Sequence, residues 1–312
     1  MTDSATTDVL NQVADWPVKN VAAAAITLGG HEDTNGAGGD ADVVTHGDME
    51  HVFQLASVSK LVTAYAALMA VEEGAFELDD KVPADLVPSF EEPATVRELL
   101  SHASGIEFRK HRQMRPAQTR RIYSSAGYEV LASFIEQATE MSFAEYVHLG
   151  ICEPLGIEIT VEGSAGHGFS ASASAIATLA EEFLRPKLLA EQTVAEALTV
   201  QFPDLVGVVP GYGRQTPCPW GLGFEIHGEK TPHWMGENMP ATVAGHFGQS
   251  GTFLWFAPEQ GLAAVVLTDE PFGEWSKDRW PEFNAQLWEA MADYACPGTS
   301  GWALLGSASR GA

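Results

Sequence analysis

Phe53-Gln54-Leu55-Ala56-Ser57-Val58-Ser59-Lys60 leads from an extended apolar segment into a helix and places a hydroxyl and an amine three residues apart. From there the apolar residues Val58, Leu61, Val62, Tyr65, Leu68 and Met69 fall at the 3.6-residue spacing of a buried helical stripe. Ser57 is therefore expected near a helix N-terminus. Residues i and i+3 share a helical face, so the Lys60 amine can approach the Ser57 oxygen. The pair is a candidate activated nucleophile.

On the N-terminal side, Val21-Ala22-Ala23-Ala24-Ala25-Ile26-Thr27-Leu28 reads as a strand. It is followed by a Gly- and Asp-rich loop through Asp42 and a second strand near Val43-Val44-Thr45-His46. The nucleophile helix is expected to end around Gly74. Residues 79–186 carry helical patterns: Thr95-Val96-Arg97-Glu98 and Ser142-Phe143-Ala144-Glu145 are capping-box signatures, Tyr128, Leu131, Phe134, Ile135 and Ala138 mark a helix between them, and residues 174–184 add another. Beyond residue 200 the chain turns strand-like, at 220–226, 252–256 and 262–267, with Pro258-Glu259-Gln260-Gly261 as a hairpin turn. Residues 285–294 read as a closing helix. The expected division is an α/β region from 1–78 and 195–297, a helical region at 79–194 and a loose tail at 298–312. Strands at both ends with helices between them predict an α+β fold with one sheet built from both termini; the order lacks the alternating βαβ units of a parallel doubly wound sheet.

With 312 residues, 45% of them apolar, the chain can bury a large core. A net charge of −25 repels phosphate and argues against a nucleic-acid partner. Cys152, Cys218 and Cys296 are odd in number and lack metal-ligand spacing, so neither a disulfide framework nor a metal site is expected. The acidic start and the shortness of the run at 21–28 lead to the expectation of a cytoplasmic protein without a membrane anchor.

Five segments in order resemble the serine β-lactamase and penicillin-binding protein superfamily. Ser57-Val58-Ser59-Lys60 is similar to its Ser-x-x-Lys motif. Leu99-Leu100-Ser101-His102-Ala103-Ser104-Gly105-Ile106 and Tyr123-Ser124-Ser125-Ala126-Gly127-Tyr128 resemble the Leu-Leu-Ser-His-Thr-Ser-Gly-Leu and Tyr-Ser-Asn-x-Gly-Tyr segments of class C β-lactamase-like hydrolases, a group that includes family VIII-type esterases. Ile151-Cys152-Glu153-Pro154-Leu155-Gly156-Ile157 is similar to their Ile-x-x-Pro-Leu-Gly-Met segment. Gly245-His246-Phe247-Gly248-Gln249-Ser250-Gly251 is similar to their Gly-His-Thr-Gly-x-x-Gly strand. The resemblance spans about residues 20–270 and implies a β-lactamase/transpeptidase-like fold: an antiparallel sheet flanked by helices, with a groove between it and a helical region.

The resemblance implies Ser57 as nucleophile, with Lys60 and Tyr123 sharing proton transfer, and either could be the general base. It implies an oxyanion site from the backbone N–H groups of Ser57 and Gln249, with Gly248 letting substrate lie close along the strand. Ser125 stands where β-lactamases have asparagine and His246 where they have lysine, which points away from β-lactams and toward esters. The reaction implied is acyl transfer through an acyl-serine on a small-molecule ester or amide, without cofactor, metal or membrane. D-amino-acid peptidase, amidase or β-lactamase activity and a non-catalytic sensor or binding module stand as alternatives. His102 is expected to fix a loop, and Trp220 to pack or to line the groove. Arg109, Lys110, Arg112, Arg115, Arg120 and Arg121 precede Tyr123, as either a solvated loop paired with acidic surface or a basic lip for an anionic substrate.

Overall fold

A computed structural model describes residues 4–29, 41–87 and 89–293. Most of the Gly- and Asp-rich loop, Cys296 and the tail lie outside the described residues. In chain order the strands are β1 (Val21–Leu28), β2 (Ala41–Gly47), β3 (Val52–Gln54), β4 (Ile159–Thr160), β5 (Ser170–Ser172), β6 (Gly207–Val209), β7 (Gly213–Gln215), β8 (Glu225–Ile226), β9 (Ala244–Gly248), β10 (Thr252–Ala257) and β11 (Leu262–Thr268). The helices are α1 (Ser4–Leu10), α2 (Ser59–Glu72), α3 (Val96–Leu100), α4 (Ser125–Thr139), α5 (Phe143–Val147), α6 (Glu153–Leu155), α7 (Ala173–Leu184), α8 (Glu191–Leu198) and α9 (Glu274–Ala292).

The main sheet is six-stranded, in the order β2-β1-β11-β10-β9-β8, and every pairing is antiparallel. Val21 pairs with Thr268, so the two chain ends are joined as expected. The two-residue period of a strand sends alternate side chains to opposite faces, and here both faces are buried. Ala22, Ala24, Ile26, Leu254, Phe256, Val265 and Leu267 join one core with α2 and α7; Ala23, Ala25, Phe253, Trp255, Ala264 and Val266 join another with α1 and α9. Helix α7, inside the span read from sequence as the helical region, thus packs on the sheet. Two small antiparallel sheets, β3-β5-β4 and β6-β7, lie outside this one.

Helix α2 is buried on every side from Ser59 to Ala70, rather than along one stripe. It runs through the core that unites the sheet with α4 and α7, and its small alanines admit close neighbours. The capping box at Thr95 forms in full, with Glu98 N–H donating to Thr95 Oγ1 at 3.2 Å and Thr95 N–H to Glu98 at 2.9 Å. At Ser142 only the forward half forms.

Two expectations are corrected. Residues 220–226 form a turn with strand only at Glu225–Ile226, because Gly223, at φ +98°, sits so close to α2 that a Cβ would lie 2.1 Å from the Ala64 Cβ. Helix α9 starts at Glu274, eleven residues before the expected 285, and contains Pro281. Burying Trp280, Phe283, Leu287 and Met291 against the sheet outweighs the hydrogen bond that proline removes.

Candidate active site

The chain enters the site along β3 and turns at Ala56, whose φ of +46° is unusual for a residue with a side chain. Ser57 sits in a single 3-10 turn, Ala56–Val58, that runs directly into α2. The turn is pinned from β10 and the β9–β10 connection: Thr252 Oγ1 donates to Leu55 O at 2.9 Å and Ser250 Oγ to Gln54 O at 2.5 Å. Gly248 belongs to this contact. A Cβ there would lie 2.4 Å from both Leu55 O and Thr252 Oγ1, so the glycine makes room for the nucleophile turn. The β9–β10 ladder ends at the Gly248–Thr252 pair, which leaves the Gln249 N–H beyond it, and Gln249 and Ser57 line the same cavity.

Lys60, one helical turn after Ser57, has no solvent exposure. Its Nζ lies 3.3 Å from Ser57 Oγ, 3.0 Å from Ser125 Oγ and 2.6 Å from Gly166 O. Burial holds the ammonium well below the usual lysine range, and Glu129 only partly opposes this. As a neutral amine Lys60 has two N–H groups, matching Gly166 O and Ser125 Oγ, and one lone pair for the Ser57 hydroxyl.

Tyr123 and Ser125 arrive from the start of α4. Ser124 caps that helix by accepting from Gly127 N–H at 2.9 Å, and its own N–H donates to His102 Nδ1 at 3.1 Å. His102, whose ring also packs at a tilt with its centroid 4.6 Å from that of Tyr123, therefore fixes this segment as expected. Burial pushes the Tyr123 phenol above the ordinary tyrosine range, with a hydrogen bond to Ser57 opposing it. The His246 Nδ1–H donates to Phe247 O at 2.6 Å, which turns Nε2 toward the Tyr123 hydroxyl 3.3 Å away. Burial, reinforced by Lys60, lowers His246 to about 4 and keeps it neutral at pH 7. Trp220 both packs on Tyr123 and His246 and lines the cavity.

Two contributors escaped the sequence reading. Gly166 supplies a backbone carbonyl, which no side-chain motif announces. Glu225 lines the cavity one strand from His246, fully buried; it accepts from Lys230 at 3.0 Å, His233 Nε2 at 2.9 Å and Trp234 Nε1 at 2.9 Å. Arg121 is corrected in the other direction. It is buried, and its guanidinium donates to the carbonyls of Cys218, Ser101, Gln201 and Phe202, so it belongs to no surface lip.

A Beta-lactamase family model matches residues 18–287. The chain belongs to the beta-lactamase family. A beta-lactamase from Mycobacterium bovis is 41% identical to it, with a TM-score of 0.82 and 92% of this chain and 100% of that one covered. Penicillin-binding protein 4* of Bacillus subtilis (strain 168) is 31% identical over 35% of this chain and 30% of its own length, so the match spans under a third of that protein. EstCE1, described as a hydrolase with promiscuous acyltransferase activity, shares the fold at 17% identity, with a TM-score of 0.69 and 92% and 97% of the two chains covered. Among the described residues no helix of this beta-lactamase-family chain is long and apolar enough to cross a membrane.

Proposed function

We propose that this beta-lactamase-family protein is a serine hydrolase that cleaves small acyl esters through an acyl-serine at Ser57. The observation that carries the reading is the Ser57–Lys60 pair, 3.3 Å apart, with the lysine wholly buried and held toward its neutral form. A serine hydroxyl attacks at neutral pH only when a base removes its proton.

In this account Lys60 Nζ takes the Ser57 proton as Oγ attacks the acyl carbon, and the oxyanion sits between the Ser57 and Gln249 N–H groups. The proton passes from Lys60 to the leaving alkoxide, with the Tyr123 hydroxyl, beside Ser57 and His246, as the relay. Water then enters the same geometry and releases the acid. Two features favour esters over β-lactams and peptides: Ser125 offers no side-chain amide to a substrate amide, and the neutral His246, beside Tyr123, places no cation at the position where β-lactamases have lysine. The second reading, β-lactam or D-amino-acid peptide turnover, is supported by the 41% identity to a protein described as a beta-lactamase.

A panel of p-nitrophenyl esters of graded chain length, a chromogenic cephalosporin and a D-alanyl dipeptide separates these readings. Ester turnover that disappears in Ser57→Ala, with the cephalosporin and dipeptide at least about a hundredfold poorer in kcat/KM, is the expected result. Dominant cephalosporin or dipeptide cleavage would favour the second reading. Absence of any turnover would leave a binding module.

A further inference from the structure

The cavity holding Ser57 encloses about 1100 Å³, more than a short acyl ester needs, and its lining is unusual for this chain. Of the five exposed large apolar side chains among the described residues, Phe108 (41% exposed), Met114 (56%) and Val208 (47%) line this cavity. Arg109, Arg115 and Arg120 line it too. None of these three arginines has an ion-pair partner among the described residues, although the chain carries 42 acidic residues against 17 basic ones.

The neighbouring basic side chains are committed elsewhere. Lys110 and Arg112 pair with Glu107, and Arg121 is taken by backbone carbonyls. The segment that presents the three arginines is anchored rather than loose. Ile106 bridges to Gln113, Met114 N–H donates to Gly105 O at 2.8 Å, and Gln118 N–H to Ala103 O at 2.7 Å. Glu129 is the acidic group on this part of the lining, and Ser164 and His111 already bond it. Three cations without a carboxylate partner among the described residues, one of them, Arg109, resting over the Phe108 ring at 5.3 Å, lie beside exposed apolar surface in a molecule whose overall field repels anions, and form a local focus for negative charge.

We infer that the substrate is amphiphilic: an ester whose acyl part lies on Phe108, Met114 and Val208 and whose far end carries a carboxylate or phosphate group held by Arg109, Arg115 and Arg120. The inference names the substrate class for the serine-hydrolase reading and rests on it. Guanidinium suits both anions, since its fork donates two parallel hydrogen bonds to either.

The test compares kcat/KM for p-nitrophenyl hydrogen glutarate, p-nitrophenyl 4-phosphonobutyrate and neutral p-nitrophenyl valerate, in wild type and in Arg109→Gln/Arg115→Gln/Arg120→Gln. Wild type is expected to prefer at least one anionic ester over the neutral one by about tenfold or more near 20 mM salt, shrinking severalfold near 500 mM as the arginines are screened. The preferred anion identifies the source of the charge. In the triple variant the anionic-to-neutral ratio falls toward one, and because both esters are read on the same protein, a general folding defect leaves that ratio untouched. Calorimetric titration of Ser57→Ala with the same three esters measures the preference without turnover, so failure of the hydrolase reading does not hide the outcome. A ratio near one in wild type, or a ratio unchanged by the triple substitution, overturns the inference.

Discussion

Taking charge away from a buried side chain makes a base of lysine and removes one from tyrosine. Burial acts on both Lys60 and Tyr123, so it favours the neutral amine over the phenolate as the group that deprotonates Ser57. A base works only when unprotonated, so ester turnover should be present above the Lys60 pKa and lost as pH falls through it. That limb should lie well below the ordinary lysine value of about 10.4. Protonation of His246 at about 4 should steepen the loss at the acid end by disturbing the hydrogen bond to Tyr123. A pH profile of kcat/KM checks this; a limb near 10 that vanishes in Tyr123→Phe would contradict it. In the sequence the Ser57–Lys60 pair is legible from its chemistry and spacing, and Tyr123, Ser125 and His246 are legible through the family resemblance of the segments that carry them. Gly166 O is not, because every residue has a carbonyl and only the fold decides which one meets Lys60.

At the scale of elements, the site depends on β9 abutting the turn that carries Ser57. Gly248→Ala places a methyl 2.4 Å from Leu55 O, and the backbone there has no flexible side chain to yield. Displacing the turn should lower kcat about a hundredfold, since misplacement by about 1 Å costs that much, with a loss of about 1–3 kcal/mol in stability. Ester kinetics and chemical denaturation on the same variant measure both. The elements that sequence reading located well, β1, α4, α7 and the β10–β11 hairpin, have patterns set by their own residues. The strand at 220–226 is shorter and α9 longer than their own residues suggest, because Gly223 and Pro281 are governed by what packs on them.

Across the whole molecule, charge and burial had to be separated, and the sequence shows only charge. Arg121 reads as one more basic surface residue and is a buried pin for four carbonyls. Glu225 reads as one of 42 acidic residues and is the counter-charge of a buried set. Burial would raise its pKa, yet Lys230 and His233 together bring it below the usual carboxylate range. Its folded pKa is depressed, so its stabilisation is complete above the unfolded value of about 4.3 and fades as pH falls below that. Glu225→Gln leaves Lys230 buried without its partner and should cost about 3–5 kcal/mol at neutral pH, read by urea titration; a cost under about 1 kcal/mol, the size of an exposed pair, would show that the set is not the buried ion pair described.

Mass spectrometry of the protein quenched during turnover of an activated ester shows whether an acyl-serine forms at Ser57. One acyl group per chain is expected, mapped to the peptide containing Ser57 and absent in Ser57→Ala. No mass shift, or an adduct that persists in Ser57→Ala, would contradict that assignment.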